Sequence, residues 1–240
     1  FKITPEQLEA AITDKTKLFV INSPSNPTGM AYSLKELEAL GEVLRKHPNI
    51  FIATDDMYEH IYWADEPFYN IVMACPDLYN RTVVMNGVSK AYSMTGWRIG
   101  FLAAPKPIAQ AINAVQSHST SNATSFAQKG AVAALNGPQD HLDDWLAKFD
   151  ERRRYAAERL NNMPGISCIN SKGAFYLFPN MAETGLKSAE FCERLLEQVK
   201  VAAVPGIAFG ADNNFRISYA TSMENIQTGM ARLEDFCKTL

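Results

Sequence analysis

Short apolar segments alternate with helical patterns through the first half of the chain, and this alternation constrains the fold more than any other feature. Apolar residues dominate 18–21, 51–54 and 82–85, and each segment has the length of one β-strand. Helical patterns precede and follow the first segment, and capping-box residues stand at their starts: Thr4 with Gln7, and Ser33 with Glu36. Continuous apolar strands separated by helices predict a mostly parallel sheet that helices cover on both faces.

The pattern becomes mainly helical from about residue 107, and short strand patterns return after residue 165. Helices are predicted over 5–13, 107–115, 125–135, 139–160, 188–198 and 223–237, and strands over 167–169, 175–178 and 215–218. Phe126 and Phe191 are expected in the core. We therefore expect an α/β domain over residues 1–140 and a smaller α+β domain over residues 141–240.

Composition excludes several classes of function. The 240 residues include 23 Lys and Arg against 26 Asp and Glu, so the formal charge of −3 argues against nucleic acid as the main partner. No apolar run approaches the roughly 18 residues of a membrane span.

The four cysteines form no CxxC pair, which predicts reduced thiols and a cytoplasmic protein. The four histidines lack metal-ligand spacing, so no metal site is expected.

Polar side chains follow the three predicted strands of the first domain. Asn26 comes shortly after the first strand, Asp55 directly after the second and Lys90 just beyond the third. Ligands of parallel sheets bind at the carboxyl ends of strands, where loops and helix N-termini converge. An aspartate and a lysine at such positions form either an ion pair or two parts of a cofactor site, and both interpretations stay open on this pattern alone.

The segment over 87–100 favours a cofactor site. It places Lys90 beside Ser89, and Arg98 follows among glycines and a tryptophan. A lysine that forms a Schiff base must be partly desolvated so that its amine can be neutral. An arginine offers a planar pair of donors to a phosphate group. The combination suits a phosphorylated aldehyde, of which pyridoxal 5'-phosphate is the obvious one.

This segment resembles the lysine signature of the class I/II pyridoxal-phosphate-dependent aminotransferases of fold type I, the group that includes bacterial aspartate aminotransferases. Three further segments resemble motifs of that family: Asn-Pro-Thr-Gly at 26–29, Asp-Asp-Met-Tyr at 55–58, and Phe-Arg-Ile-Ser-Tyr-Ala at 215–220. The four motifs stand in the family's order and span essentially the whole chain. The resemblance implies part of the large cofactor-binding domain, followed by the small C-terminal domain.

The resemblance implies a role for each residue of these motifs. Lys90 would hold the cofactor through a Schiff base and later move the proton of the substrate. Asp55 would pair with the pyridine nitrogen, although the neighbouring Asp56 is an alternative partner. Tyr58 and Asn26 would hydrogen-bond the phenolic oxygen of the cofactor, and Asn26 would also bind the substrate. Lys90, Asp55 and Tyr58 would thus be the catalytic group.

The remaining roles concern anions. Ser89 and Arg98 would bind the cofactor phosphate, and Arg216 would bind the α-carboxylate of the substrate through two parallel hydrogen bonds. One departure from the family is Gly87, where some relatives carry a hydroxyl that contributes to phosphate binding. Ser89 would therefore have to bind the phosphate without that additional hydroxyl.

The activity implied is transfer of an amino group between an L-amino acid, with aspartate as the first expectation, and a 2-oxo acid such as 2-oxoglutarate. Aromatic amino acids, alanine and prephenate stay open as alternatives. A pyridoxal-phosphate-dependent C–S or β-lyase and a non-enzymatic cofactor-sensing domain of a regulator are the competing functions. The resemblance also implies a homodimer. Full-length relatives carry a further N-terminal region, so we expect this chain to be a fragment without it.

Overall fold

The computed structural model describes residues 1–240, and their contacts divide the chain into two compact units. The first unit comprises residues 1–24 and 31–143, and the second comprises residues 25–30 and 144–240. The short segment 25–30 therefore belongs to the C-terminal unit although it lies early in the sequence. The domain boundary expected at residue 140 stays a prediction, because compactness does not test whether either part folds alone.

A four-stranded sheet forms the centre of the first unit. Its strands are β1 (Leu18–Asn22), β2 (Phe51–Asp55), β3 (Thr82–Gly87) and β4 (Gly100–Ala103), in the spatial order β1-β2-β3-β4. The pairs β1–β2 and β2–β3 are parallel, and β3–β4 is antiparallel. The predicted mostly parallel sheet is confirmed, and the antiparallel edge strand is an addition that the sequence reading did not include.

The first unit contains five α-helices, and side chains cap the N-termini of the first three. The five helices are α1 (Pro5–Ala11), α2 (Leu34–Lys46), α3 (Ile71–Ala74), α4 (Lys106–Ser119) and α5 (Ser125–Asn136), and α6 (Asp140–Asn161) follows. Thr4 and Ser33 form complete capping boxes before α1 and α2, as predicted from their spacing. Arg81 donates to carbonyl oxygens at the end of α2, including that of Leu44 at 2.6 Å, which also accepts from the backbone N–H of His47 at 3.0 Å.

The core of the first unit lies between α1, α2, α3 and one face of the sheet. Ile21 and Ile52 contribute from the strands, and Leu40 and Leu44 contribute from α2. The expectation that β1 is buried on both faces is wrong, because Leu18 and Val20 are 54% and 57% exposed. Successive strand residues point to opposite faces, and the helices of this core cover only the face that carries Ile21.

Two further expectations are wrong. Phe126 was expected in the core but is 72% exposed, because it lies on the outer face of α5 whereas Ala127 and Ala131 lie on the buried face. The strand predicted over 167–169 is reduced to one isolated bridge between Ser167 and Asn180. Phe191 is fully buried, as predicted.

The second unit combines a small antiparallel sheet with helices. Its strands are β5 (Tyr176–Leu177), β6 (Val204–Pro205) and β7 (Phe215–Ser218), in the order β5-β7-β6. The helices α7 (Ser188–Val199) and α8 (Met223–Cys237) accompany it, and the rings of Phe191, Phe215 and Phe236 pack together. The predicted α+β organisation of this part is confirmed. None of the helices combines the length and apolar character that crossing a bilayer requires.

Candidate active site

One loop between β3 and β4 carries three of the predicted site residues, Ser89, Lys90 and Arg98. Gly87 and Gly100 are the last paired residues of the antiparallel strands β3 and β4, so the two ends of the loop lie side by side. The family signature that spans fourteen positions in the sequence is therefore a single closed loop in space.

Gly87 stands at the base of this loop, where the backbone is closely packed. A Cβ atom there would lie 3.0 Å from the carbonyl oxygen of Ile99, 3.0 Å from Cε of Met57 and 3.2 Å from Cα of Gly100. A larger residue at this position would therefore require its neighbours to move by a few tenths of an ångström.

The first turn of the loop is anchored by buried side chains on both sides of Ser89 and Lys90. Val88 is 0% exposed and Ala91 is 5% exposed, and Val88 packs in the cluster that includes Ile99. Ser89 and Lys90 themselves are half-buried. The two candidate site residues thus lie between two buried side chains, which fix the backbone at the start of the loop.

Arg98 closes the far side of the loop in a left-handed backbone conformation, with φ of 56°. Its side chain is exposed, and Nη1 donates to the carbonyl oxygen of Thr95 over 2.8 Å. An open groove of about 1400 Å³ begins beside it and continues along Phe101, Leu102 and Phe126. The guanidinium therefore lies where an anion can reach it.

Asp55 is the last residue of β2, the strand between β1 and β3. Its Cα partners are Asn22 at the end of β1 and Met85 in β3. Its side chain is half-buried, and Oδ1 accepts a hydrogen bond from the backbone N–H of Met57 over 3.2 Å. The structure thus places this carboxylate at the carboxyl end of the sheet, beside the strand that leads into the loop of Lys90.

The neighbouring Asp56 has a different environment. It is 1% exposed, and its two oxygens accept hydrogen bonds from the Thr54 hydroxyl and from Nδ2 of Asn70, each over 2.6 Å. Burial raises the pKa of Asp56 to about 6, and the nearby charges of Glu59 and Asp55 add to the shift. Both carboxylate oxygens are engaged in the interior, which is typical of a structural role.

Tyr58 is 4% exposed in the turn that follows β2. Two hydrogen bonds fix this turn against β3: the backbone N–H of Asp56 donates to the Met85 carbonyl over 2.9 Å, and Nδ2 of Asn86 donates to Glu59 over 2.7 Å. The sequence reading missed Asn86 and Glu59, because single polar residues near strand ends carry no distinctive signal. They matter because they hold the turn of Tyr58 against the strand that precedes Lys90.

The other two predicted residues, Asn26 and Arg216, contact each other within the second unit. Nη1 of Arg216, on β7, donates to Oδ1 of Asn26 over 2.8 Å. The amide oxygen of Asn26 therefore faces the arginine. The guanidinium carbon also lies 4.5 Å from the ring centre of Tyr176 and 5.3 Å from that of Phe209, two aromatic residues that the sequence reading did not single out.

Comparison with known families agrees with these motifs. Residues 1–233 match the family model described as aminotransferase class I and II. The chain belongs to this family. Members of the aminotransferase class I and II family depend on pyridoxal phosphate, which suits the lysine and arginine of the loop between β3 and β4.

Curated members of the family are similar over nearly the whole of this chain. An aspartate/prephenate aminotransferase of Nitrosomonas europaea is 51% identical over 244 residues, which cover 97% of this chain and 62% of that protein. An aspartate aminotransferase of Geobacillus stearothermophilus is 47% identical over 241 residues, which cover 98% of this chain and 61% of that protein. The chain thus spans about three fifths of the length of these relatives.

Solved structures of the aminotransferase family share the fold. The aspartate aminotransferase of Rhizobium meliloti superposes with a TM-score of 0.94 at 43% identity, over 99% of this chain and 62% of that one. An aromatic aminotransferase from Pyrococcus horikoshii OT3 gives a TM-score of 0.94 at 37% identity, over 100% of this chain and 64% of that one. The expected partial fold-type-I architecture is therefore confirmed.

Proposed function

We propose that the whole protein carrying this chain is a pyridoxal-phosphate-dependent aminotransferase, which transfers an amino group between an L-amino acid and a 2-oxo acid. The observation that carries the proposal is the closed loop between β3 and β4, which holds a half-buried lysine together with a serine and an exposed arginine in a member of the aminotransferase family.

The donor set suits the chemistry of the cofactor. Pyridoxal phosphate has an aldehyde, a phosphate and a pyridine nitrogen, and the first unit offers a matching group for each. Lys90 provides an amine, Ser89 and Arg98 provide donors for the phosphate, and Asp55 provides a carboxylate. Asp55 is a better partner for the pyridine nitrogen than Asp56, because both oxygens of Asp56 already accept hydrogen bonds in the interior.

Bound pyridoxal phosphate supplies an aldehyde carbon that condenses with amines and a ring that accepts the electron pair of a broken Cα–H bond. Lys90 would hold that carbon through its amine and, after an amino acid takes its place, would move the proton of the substrate Cα. Asp55 would pair with the pyridine nitrogen and favour its protonated form. The family resemblance further implies that Tyr58 and Asn26 would hydrogen-bond the phenolic oxygen.

We assign the substrate α-carboxylate to Arg216, whose planar guanidinium can form two parallel hydrogen bonds to a carboxylate. Such a contact orients the Cα–H bond for proton transfer, which lowers the entropic part of the barrier. Aspartate is the amino donor that we propose, because the relatives described above are named aspartate or aspartate/prephenate aminotransferases.

We further propose a homodimer in the cytoplasm. The family resemblance supports the dimer. The state of the cysteines supports the compartment, since all four thiols are free and three of them are buried. Light scattering of the purified protein should give twice the mass of one chain, and a monomer at working concentrations would contradict the proposed dimer.

The first experiment tests the covalent link. The purified whole protein is incubated with pyridoxal phosphate and reduced with borohydride, and the modified peptide is located by mass spectrometry. We expect the label on Lys90, no label at this peptide in Lys90→Ala, and normal labelling in Lys106→Ala, a matched change of an exposed lysine at the start of α4. Undiminished stoichiometric labelling in Lys90→Ala would refute the lysine assignment.

The second experiment tests the reaction class and the substrate. A panel of L-amino acids is supplied with 2-oxoglutarate, and the products are analysed. We expect glutamate and oxaloacetate to form from aspartate, with lower kcat/KM for aromatic amino acids and alanine. Release of ammonia and pyruvate instead of a new amino acid would identify a lyase, and absence of any turnover in a protein that binds the cofactor would favour a sensing domain.

A further inference from the structure

Two aromatic rings border the guanidinium of Arg216. Its central carbon lies 4.5 Å from the ring centre of Tyr176 and 5.3 Å from that of Phe209, both within the range of about 6 Å at which a cation is attracted to an aromatic face. Tyr176 is only 7% exposed, so water competes little for this contact. The attraction between a guanidinium and a ring is larger where water is excluded.

The register of the small sheet produces the contact with Tyr176. Tyr176 of β5 pairs with Ser218 of β7, and Arg216 stands two residues before Ser218 on the same strand. Residues two apart on a strand share a face, so Tyr176 and Arg216 are diagonal neighbours on one face of the sheet. Long and aromatic side chains can reach each other across such a diagonal.

Phe209 reaches the same arginine from the other neighbouring strand. Val204 of β6 pairs with Arg216, and a short 3₁₀ helix over Gly206–Phe209 follows β6 directly. The turn at Gly206 is tight, because a Cβ atom there would lie 2.1 Å from the carbonyl oxygen of Ala211. This turn returns the chain toward β7 and brings the Phe209 ring beside the guanidinium.

Both rings are themselves supported. The ring of Phe209 meets that of Phe178 edge-on at 5.9 Å between centres, and the ring of Tyr176 lies 4.8 Å from that of Phe175. Aromatic pairs at these separations attract each other beyond the area that they bury. The rings beside Arg216 are therefore held in place by their own neighbours.

We infer that Tyr176 and Phe209 are positioning residues, which hold the Arg216 guanidinium so that its edge presents paired N–H groups to the substrate carboxylate. All donors of a guanidinium lie in its plane, so a ring against a face displaces water without removing a hydrogen bond. Asn26 fixes one N–H within that plane. The inference rests on the proposed role of Arg216 and deepens it.

Equilibrium binding of maleate, an unreactive dicarboxylate, to the cofactor-loaded whole protein tests this inference. We expect the Kd measured by calorimetry to rise about 3- to 30-fold in Tyr176→Leu and in Phe209→Leu, because each loses one cation–ring contact. In Tyr176→Phe, which keeps the ring, the Kd should stay within twofold of the original. KM for the amino donor should rise by about the same factor as Kd, and kcat should fall by a smaller factor than KM rises.

Two controls separate this inference from the proposed function. Borohydride labelling of Lys90 should be normal in every variant, which shows that the cofactor site is intact. Arg216→Ala should abolish measurable maleate binding, and unchanged binding in that variant would overturn both the proposed carboxylate site and the inference. A different result would overturn the inference but not the proposed carboxylate site. In that case Arg216→Ala loses maleate binding, whereas Tyr176→Leu and Phe209→Leu both keep a Kd within twofold of the original. Should Tyr176→Leu fail to fold, Phe209→Leu decides, since Phe209 is 37% exposed in a surface turn.

Discussion

Arg216 donates to the amide oxygen of Asn26 over 2.8 Å, although 190 residues of sequence separate the two. The segment that carries Asn26 is firmly attached to the second unit, because the carbonyl oxygen of Gly29 accepts from the backbone N–H groups of Lys172 and Gly173. Gly29 has φ of +67°, and a Cβ atom there would lie 2.3 Å from Cβ of Ser171, so glycine is required at this turn. The motif thus serves to present Asn26 to the arginine.

Arg216→Ala should lower kcat/KM for the amino donor by about 100-fold or more, since truncating one partner of a charged contact costs about 2–5 kcal/mol. Asn26→Ala should lower kcat/KM by about 10-fold, because a hydrogen bond to a charged group contributes about 1.5–3 kcal/mol and this one is partly accessible to water. Steady-state kinetics of both single variants and the double variant measure the coupling. Fully additive effects would contradict a shared role.

The two adjacent aspartates offer a matched pair of substitutions. Asp55→Asn should lower kcat by about 100-fold or more, the scale on which one electrostatic contact acts in a transition state. Asp56→Asn should change kcat less than Asp55→Asn does, because the Asp56 carboxylate is occupied by Thr54 and Asn70. Kinetics are compared at a temperature where circular dichroism shows both variants folded. Equal losses in the two variants would show that the assignment of Asp55 alone is wrong.

Asp56 should also make the stability of the protein depend on pH. Burial raises its pKa from 3.8 to about 6, so the folded state holds the proton more tightly than the unfolded chain does. Below about pH 4 the group is protonated in both states and has no ionisation cost. Between about pH 4 and pH 6 the unfolded chain ionises this group while the folded state keeps it protonated, so the contribution to the free energy of unfolding falls by on the order of 3 kcal/mol.

Urea unfolding of the original protein and of Asp56→Asn at several pH values isolates this effect. The difference in the free energy of unfolding, original minus variant, should decline by on the order of 1 kcal/mol per pH unit between about pH 4 and pH 6, and then level off. Other carboxylates titrate in both proteins and cancel in the difference. A difference that is constant over this interval would refute the raised pKa.

Gly206 provides a test of the turn that carries Phe209. A Cβ atom at this position would lie 2.1 Å and 2.2 Å from the carbonyl oxygens of Ala211 and Asn214. Both oxygens belong to the backbone, so Gly206→Ala should lower the free energy of unfolding by about 3 kcal/mol or more. Gly229→Ala in α8 is the control, because no atom lies within 4 Å of its added Cβ and alanine favours helices. It should raise stability by up to about 1 kcal/mol in urea unfolding.

The local elements of the fold could be predicted from the sequence where the signal is itself local. The capping boxes at Thr4 and Ser33 predict the starts of α1 and α2, and the structure agrees. β4 was missed, because an edge strand of four residues is stabilised by its pairing with β3 rather than by its own pattern. Phe126 was misplaced, because an apolar residue on a helix does not by itself reveal which face has a partner.

The same distinction applies to the site. The residues of the loop between β3 and β4 could be found because they are neighbours in sequence and match a family signature. Tyr176 and Phe209 could not, because their contact with Arg216 depends on the register of β5 and β6 against β7. The continuous apolar run over 175–178 predicts a strand there. The pattern of one strand does not reveal which residue of a neighbouring strand lies diagonally opposite.

The pairing of Gly87 with Gly100 has a consequence for affinity. A flexible loop would lose conformational entropy each time it bound an anion, and this loss would weaken the binding. Here the pairing of β3 with β4 orders the loop between them when the polypeptide folds. The loop therefore need not be ordered again each time an anion binds. Loosening this junction should therefore weaken retention of the proposed cofactor, because Ser89, Lys90 and Arg98 all lie between the two glycines.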